Sequence, residues 1–400
     1  MHRLVRHFLR DSQAGVVAEV AAEAVVVVAA AVAVVVEAVV EAINHTAFIP
    51  EKLLIQWHIT EECNLACQHC YQETQTAGVG SDGLDIILAR IRDLIADLCR
   101  KAGGRKIPAH ITVTGGEPFL RDDFFTLLEQ FHALRNEFSF AILSNGSLID
   151  TQLARQLSKL KPGFVQLSLD GKKATHDRIR CDGDFDRVMR AATCLKKAGI
   201  PLLIAFTAQR DNFREFADVA ATGRTLGARR VWADRFIPLG GSKEERDRVL
   251  LPSETREFFE IMQKSRKGGG IFNTTEIAMH RALQFLIGGG KPYRCQAGGG
   301  LITILANGDL CPCRRMPIPV GNLLLNSLAT LYQENRLFRK LRDKNTISHS
   351  CRECFYAQVC NGGLRCLGHS MHGELYHTDP GCWLINGGNH GFSNNMTEKL

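Results

Sequence analysis

From about residue 52 to 240 the chain alternates between short apolar runs and amphipathic stretches. The apolar runs are LLIQWHIT (53–60), HITVTG (110–115), FSFAILSN (138–145), FVQLSLD (164–170), PLLIAFTA (201–208) and RRVWADRFIP (229–238). Each has strand length and is bounded by turn-forming residues. Between them lie helical periods, among them LDIILARIRDLIADLCR (84–100), DDFFTLLEQFHALR (122–135) and FDRVMRAATCLKKAG (185–199), the last ending on Gly199. Repeated strand–helix units of this kind predict an α/β fold with a parallel sheet, either open or curled into a partial (β/α)6 TIM-like barrel. In such folds chemistry gathers at the carboxyl ends of the strands.

The alternation stops near residue 240. A joining region over 241–292 contains GGSKEER, a helix near 253–267 and GGGKP at 288–292, whose glycines suggest loops or hinges. Residues 293–386 are rich in cysteine, and 387–400 form a tail. The first 48 residues differ from all of this. Arg3, Arg6 and Arg10 precede AVVVVAAAVAVVV at 24–36, which superficially resembles a signal peptide or anchor. That run is 13 residues, against the ~20 that a membrane helix needs, and Glu19, Glu23, Glu37 and Glu41 bracket it. The stretch reads as a low-complexity helical extension that offers a partner surface. A mis-assigned start or a disordered tail is the competing reading.

Composition adds bounds. The 400 residues are 45% hydrophobic and 23% charged, as in a globular protein of two or three domains. The net charge of +7 is mild, and Lys and Arg form no dense run interleaved with aromatics, so nucleic-acid binding is not indicated. No membrane span is expected. The 14 cysteines are unevenly placed, three at 63–70 and eight between Cys295 and Cys382. Such clustering reads as metal ligation by reduced thiols, hence a cytoplasmic setting. Cys99, Cys181 and Cys194 read as plain thiols.

The candidate chemistry falls at the strand ends. CNLACQHC (63–70) follows the first strand, GGEP (115–118) the second, SNG (144–146) the third and SLDG (168–171) the fourth. Cys63, Cys67 and Cys70 are three thiols, one short of the four that close a structural zinc site or an ordinary iron–sulfur cluster. A zinc knuckle completed by His58 or His69 is compatible with the spacing. Three thiolates also suit three irons of a [4Fe–4S] cube, leaving the fourth iron open.

CNLACQHC with GGEP one strand later resembles the radical S-adenosylmethionine (radical SAM) superfamily over roughly 52–240. The resemblance implies that Cys63, Cys67 and Cys70 hold a [4Fe–4S] cluster whose open iron is chelated by S-adenosylmethionine (SAM). One-electron reduction then releases a 5′-deoxyadenosyl radical that takes a hydrogen atom from substrate. It further implies His69 near the adenine, and Gly115, Gly116 and Glu117 at the SAM amino group, with Pro118 stiffening the turn. Ser144, Asn145, Ser168 and Asp170 become candidates for the SAM carboxylate or ribose, or equally for helix caps. In THDRIR (175–180), which also looks like this family's barrel, His176, Asp177 and Arg180 are expected to tie loops together through hydrogen bonds, with lining of the substrate cavity as the alternative.

The C-terminal cysteines, Cys295, Cys311, Cys313, Cys351, Cys354, Cys360, Cys366 and Cys382, resemble the SPASM extension of radical SAM peptide and protein maturases. One position departs: Leu364 stands where that pattern has a cysteine, and Cys366 comes two residues late. The resemblance implies two auxiliary [4Fe–4S] clusters. Cys351, Cys354, Cys360 and Cys382 would hold the outer one, and Cys295 and Cys313 the inner. Cys311 and Cys366 complete the inner cluster, or a position stays open to substrate; a [2Fe–2S] form, a missing cluster and zinc-ribbon pairs remain alternatives.

The function implied is a radical SAM oxidoreductase acting on a ribosomally made peptide or protein, as in crosslinking maturases. Its partners would be that substrate and a reducing donor such as flavodoxin or ferredoxin. Leader recognition would need another surface or a separate leader-binding protein. The alternative is haem or redox-cofactor biosynthesis on a small molecule. A non-catalytic iron–sulfur carrier would show no SAM cleavage.

Overall fold

The computed structural model describes residues 47–72, 78–268 and 274–385. The expected N-terminal extension and C-terminal tail lie outside the described residues, apart from the last residues of the former.

The six expected strands all form. They are β1 (Leu53–His58), β2 (Ala109–Thr114), β3 (Ser139–Ser144), β4 (Val165–Ser168), β5 (Leu202–Ala208) and β6 (Arg230–Arg235). Each pairs in parallel with the next. Helices cover them on the outside, and the apolar residues of each helix explain why. In Ser81–Lys101, Leu84, Ile87, Leu88, Ile91, Leu94, Ile95 and Leu98 recur at three- and four-residue spacing and are buried. Asp150 caps Thr151–Leu160 by accepting from the Leu153 N–H at 2.7 Å. Outward-facing Trp57 of β1 lies 6.0 Å from Phe131, centroid to centroid. Phe206, Phe213, Phe216 and Phe258 form a cluster of mostly edge-on contacts between β5 and its covering helices, each pair worth about 0.5–1.5 kcal/mol beyond its area.

The sheet is larger than six strands. A seventh strand, β7 (Glu276–Ala278), arises in the joining region and pairs in parallel with β6. On the other side β8 (Leu301–Ile304) lies parallel against β1, with Leu54 opposite Leu301. Antiparallel β9 (Asp309–Cys311) and β10 (Gly321–Asn322) extend it. The order is β10-β9-β8-β1-β2-β3-β4-β5-β6-β7. The cysteine-rich segment is therefore built onto the barrel sheet itself. A buried ion pair also fastens it: Arg235 at the end of β6 holds Asp379 with both guanidinium nitrogens, and Asp379 accepts from the Leu364 and Gly381 N–H groups at 2.8 and 2.9 Å. Among the described residues no helix is long and apolar enough to cross a membrane.

Candidate active site

GGEP clamps the start of the cysteine loop. The Gly116 N–H donates to the Thr60 carbonyl at 2.9 Å and the Glu117 N–H to that of Glu62 at 2.8 Å. Only glycine permits the approach: a Cβ on Gly115 would stand 2.3 Å from the Thr60 oxygen, and one on Gly116 2.0 Å from the Glu62 oxygen. Glu117 itself is fully buried and turned toward the next strand end. It accepts from Ser144 Oγ at 2.9 Å, from the Asn145 N–H at 2.8 Å and from the Phe119 N–H at 3.3 Å. Burial pushes its carboxyl up to about 7. Pro118 opens the short turn Pro118–Leu120 that follows. Asn145 closes the ring: its Nδ2 donates to Asn64 Oδ1 at 2.9 Å and lies 3.9 Å from Cys63 Sγ.

Asp170 organises the opposite side. Its carboxylate accepts from Arg180 Nε at 2.7 Å, meets His69 Nε2 at 3.3 Å and accepts from the Thr207 N–H at 2.9 Å. Burial alone would raise this carboxyl, but Arg180 and His69 overcome it and hold it well below the usual carboxylate range. Behind it, the Asp170 N–H donates to His176 Nδ1 at 3.1 Å, leaving His176 Nε2 to donate to buried Asp184 at 3.1 Å. Asp177 accepts from the Phe185 N–H at 2.7 Å. His176, Asp177 and Arg180 thus tie loops together, and Arg180 also reaches the cavity wall, with Nη1 3.8 Å from Cys67 Sγ.

Cys63, Cys67 and Cys70 line a cavity at the carboxyl ends of the strands, with His69, Gly115, Gly116, Ser144, Asn145 and Ser168 on the same wall. Glu117 and Asp170 stand behind that wall as struts. Burial pushes the Cys67 thiol up to about 11 and raises Cys63 as well, so metal binding here must release protons. The residues fit a cluster with a bound cofactor. His69 Nδ1 is buried without a protein partner, the Ser168 hydroxyl makes no hydrogen bond within the described residues, and three thiols face one space. Among the described residues no three His, Cys, Asp or Glu side chains converge as they would on a single ion. A cube of irons instead needs thiolates spread around it.

A second cavity adjoins the first through shared walls that include Leu143, Gln166, Trp232, Asp234, Arg314 and Arg315. Cys295, Cys313 and Cys366 line it together. Cys311 is buried on β9 and is not part of that wall, though Cys313 is near enough to add to the burial that pushes its thiol up to about 12. The remaining four thiols, Cys351, Cys354, Cys360 and Cys382, line one small apolar pocket with Phe285 and Leu384. Burial pushes Cys360 to about 12 and Cys382 to about 11. Local spacing did not reveal Tyr71, Trp232, Asp234, Arg235, Arg314 and Arg315 as wall residues. Two signals were available: Trp232 and Asp234 share one face of a strand by their two-residue spacing, and Arg314–Arg315 directly follow Cys313.

Residues 57–222 match the radical SAM superfamily, and residues 295–355 match the SPASM iron–sulfur cluster-binding domain. The chain carries a radical SAM domain followed by a SPASM domain. The radical SAM domain implies a [4Fe–4S] cluster with SAM, and the SPASM domain implies auxiliary clusters. Among curated relatives, the AdoMet-dependent heme synthase of Oleidesulfovibrio alaskensis is 27% identical over 83% of this chain and 87% of its own length. The mycofactocin maturase MftC of Mycolicibacterium smegmatis is 26% identical over 82% of each chain. The fold of anSMEcpe, solved with bound AdoMet, superposes with a TM-score of 0.67 at 20% identity, covering 83% of this chain and 94% of that one.

Proposed function

We propose that this radical SAM enzyme oxidises a small, carboxylate-bearing molecule of the haem-making kind. The observation that carries the reading is the charge of the second cavity. Among the described residues, Lys52, Arg230, Arg281, Arg314, Arg315 and Arg365 line it against a single carboxylate, Asp234. Arg315 and Arg281 share Asp234, at 2.5 and 3.3 Å, so the wall keeps an excess of positive charge. Leu54, Leu143, Phe164 and Trp232 supply apolar surface between these cations. Such a wall suits an apolar body edged with carboxylates. Similarity to relatives named heme synthases over 82–83% of this chain supports the same reading.

Cys63, Cys67 and Cys70 would hold a [4Fe–4S] cluster with SAM, which would supply one-electron radical chemistry for hydrogen-atom removal from substrate. This chain's residues do the rest. Gly115 and Gly116 leave the wall free of side chains, Asp170 fixes His69 and Arg180, and Glu117 locks two loop turns together. Cys351, Cys354, Cys360 and Cys382 would hold an outer cluster, and Cys295, Cys313 and Cys366 an inner one facing the substrate cavity. A flavodoxin- or ferredoxin-type donor in the cytoplasm would reduce the first cluster.

A peptide substrate is the second reading, favoured by similarity to the maturase MftC and by the SPASM domain. The test is to supply the anaerobically reconstituted enzyme and reductant with a propionate-bearing tetrapyrrole or with a peptide encoded beside the gene. A tetrapyrrole product of lower mass, formed with 5′-deoxyadenosine, is the expected outcome. A mass change confined to the peptide establishes the second reading. Cys67→Ala should abolish SAM cleavage with either.

A further inference from the structure

We propose that Arg314 grips a substrate carboxylate at the junction of the two cavities; this rests on the carboxylate-bearing substrate argued above. Arg314 lines both cavities, directly follows Cys313, and is half-buried. Its one hydrogen bond among the described residues is from Nη1 to the Tyr71 hydroxyl, at 3.3 Å. Its guanidinium carbon lies 5.3 Å from the centre of the Tyr71 ring. Both contacts are to a neutral group.

The other guanidiniums of these walls, apart from Arg365, already have a carboxylate. Arg180 has Asp170 at 2.7 Å, Arg235 has Asp379, Arg230 has Glu276 at 2.7 Å, and Arg315 and Arg281 have Asp234. Arg365 is buried, donates to the Leu341 carbonyl at 3.3 Å and lies over the Tyr376 ring. Lys52 sits at the exposed rim before β1. Among the described residues Arg314 is thus the guanidinium at the junction with no carboxylate in hydrogen-bond contact. A partly desolvated cation with no direct ion pair among the described residues favours an anionic ligand, and a planar fork favours a carboxylate.

Asp234 on the shared wall is the carboxylate that acts on Arg314 at longer range, and Arg315 and Arg281 already engage it directly. His58 is buried with its ring centre 6.0 Å from that of Tyr71, and burial together with Arg314 pushes its imidazole down to about 3, so it stays neutral. Tyr71 follows Cys70, and Arg314 follows Cys313. The contact between them joins the first cysteine loop to the inner one. A carboxylate held here would fix how far the rest of the substrate reaches toward Cys63, Cys67 and Cys70.

The test measures binding by full-length, anaerobically reconstituted protein. The probes are coproporphyrin, an apolar macrocycle edged with propionates, and its methyl ester, both followed by absorbance in the same detergent buffer. Wild type should favour the acid over the ester. Arg314→Gln should bind the acid about tenfold or more weakly, lose most of the acid-over-ester preference and keep its iron content. Arg314→Lys should recover part of the affinity. Unchanged acid binding by Arg314→Gln, with wild type still preferring the acid, would overturn the assignment of Arg314 alone. So would a fall in affinity that only tracks a fall in iron, since Arg314 would then serve the Cys313 site. A wild-type protein that binds both probes equally, or neither, sinks the carboxylate-bearing substrate and Arg314 with it.

Discussion

Asp170 holds Arg180 at 2.7 Å, and Arg180 in turn comes within 3.8 Å of the Cys67 sulfur. The same carboxylate meets His69, so one buried side chain positions two residues of the CNLACQHC wall. Asp170→Asn keeps the shape and removes the charge. The expected result is a folded protein with a lower melting temperature and at least tenfold slower 5′-deoxyadenosine formation. Breaking one partner of a buried pair costs about 3–5 kcal/mol. Thermal unfolding and quantified SAM cleavage check it, and wild-type cleavage would remove Asp170 from the positioning role.

Gly116→Ala places a Cβ against the Glu62 carbonyl, in backbone that cannot move aside cheaply. Iron bound per chain should fall, with loss of the first cluster's low-temperature spin signal in SAM. Gly80→Ala is the control, because an added Cβ there meets nothing within 4 Å. Equal iron content in the two variants would show that the cysteine loop tolerates the displacement.

The two cysteines left open by spacing should behave differently. Cys366 shares a cavity wall with Cys295 and Cys313, whereas Cys311 does not. Cys366→Ala should therefore lose up to about four iron atoms per chain, the content of one [4Fe–4S] cluster, and Cys311→Ala should lose none. Iron and sulfide analysis after reconstitution decides between them, and the opposite ranking would transfer the ligand role to Cys311.

Glu117 makes the apoprotein's stability depend on pH. Burial raises its folded pKa to about 7, above the unfolded value of about 4.3. Its contribution is therefore fully present below about pH 4 and is lost as pH rises through 7, a change of order 3 kcal/mol. Glu117→Gln lacks this dependence. Relative to that variant, wild type should lose stability between pH 5 and 8 in thermal unfolding of the metal-free protein. A constant difference across that range would mean Glu117 stays ionised in the fold.

Much of this arrangement could be read from local patterns. Strands β1 to β6 were legible because each is a run of apolar and β-branched residues, three of them closed by Gly115, Asn145 or Asp170, and the motifs at their ends share one face for topological reasons. β7 and β8–β10 were not, since strands as short as Glu276–Ala278 and Gly321–Asn322 carry too few residues for a period to show. The pairing of β8 with β1 is a long-range contact that no local spacing encodes. In the site, cysteine and glycine spacing marked the walls, while side-chain direction did not follow. Glu117 and Asp170 bear on the cavity from behind, and Arg314 enters through a contact with Tyr71 across 243 positions.

β1 is paired on both sides, by β2 soon after it in the chain and by β8 roughly 250 residues later. At a synthesis rate of about 5–20 residues per second, one edge of β1 waits some tens of seconds on the ribosome for its partner. An unpaired parallel edge of this kind templates misassembly. Expression of this chain should therefore depend on chaperone supply more than its size alone suggests, and truncation before Leu301 should yield an aggregating product in place of a minimal catalytic core.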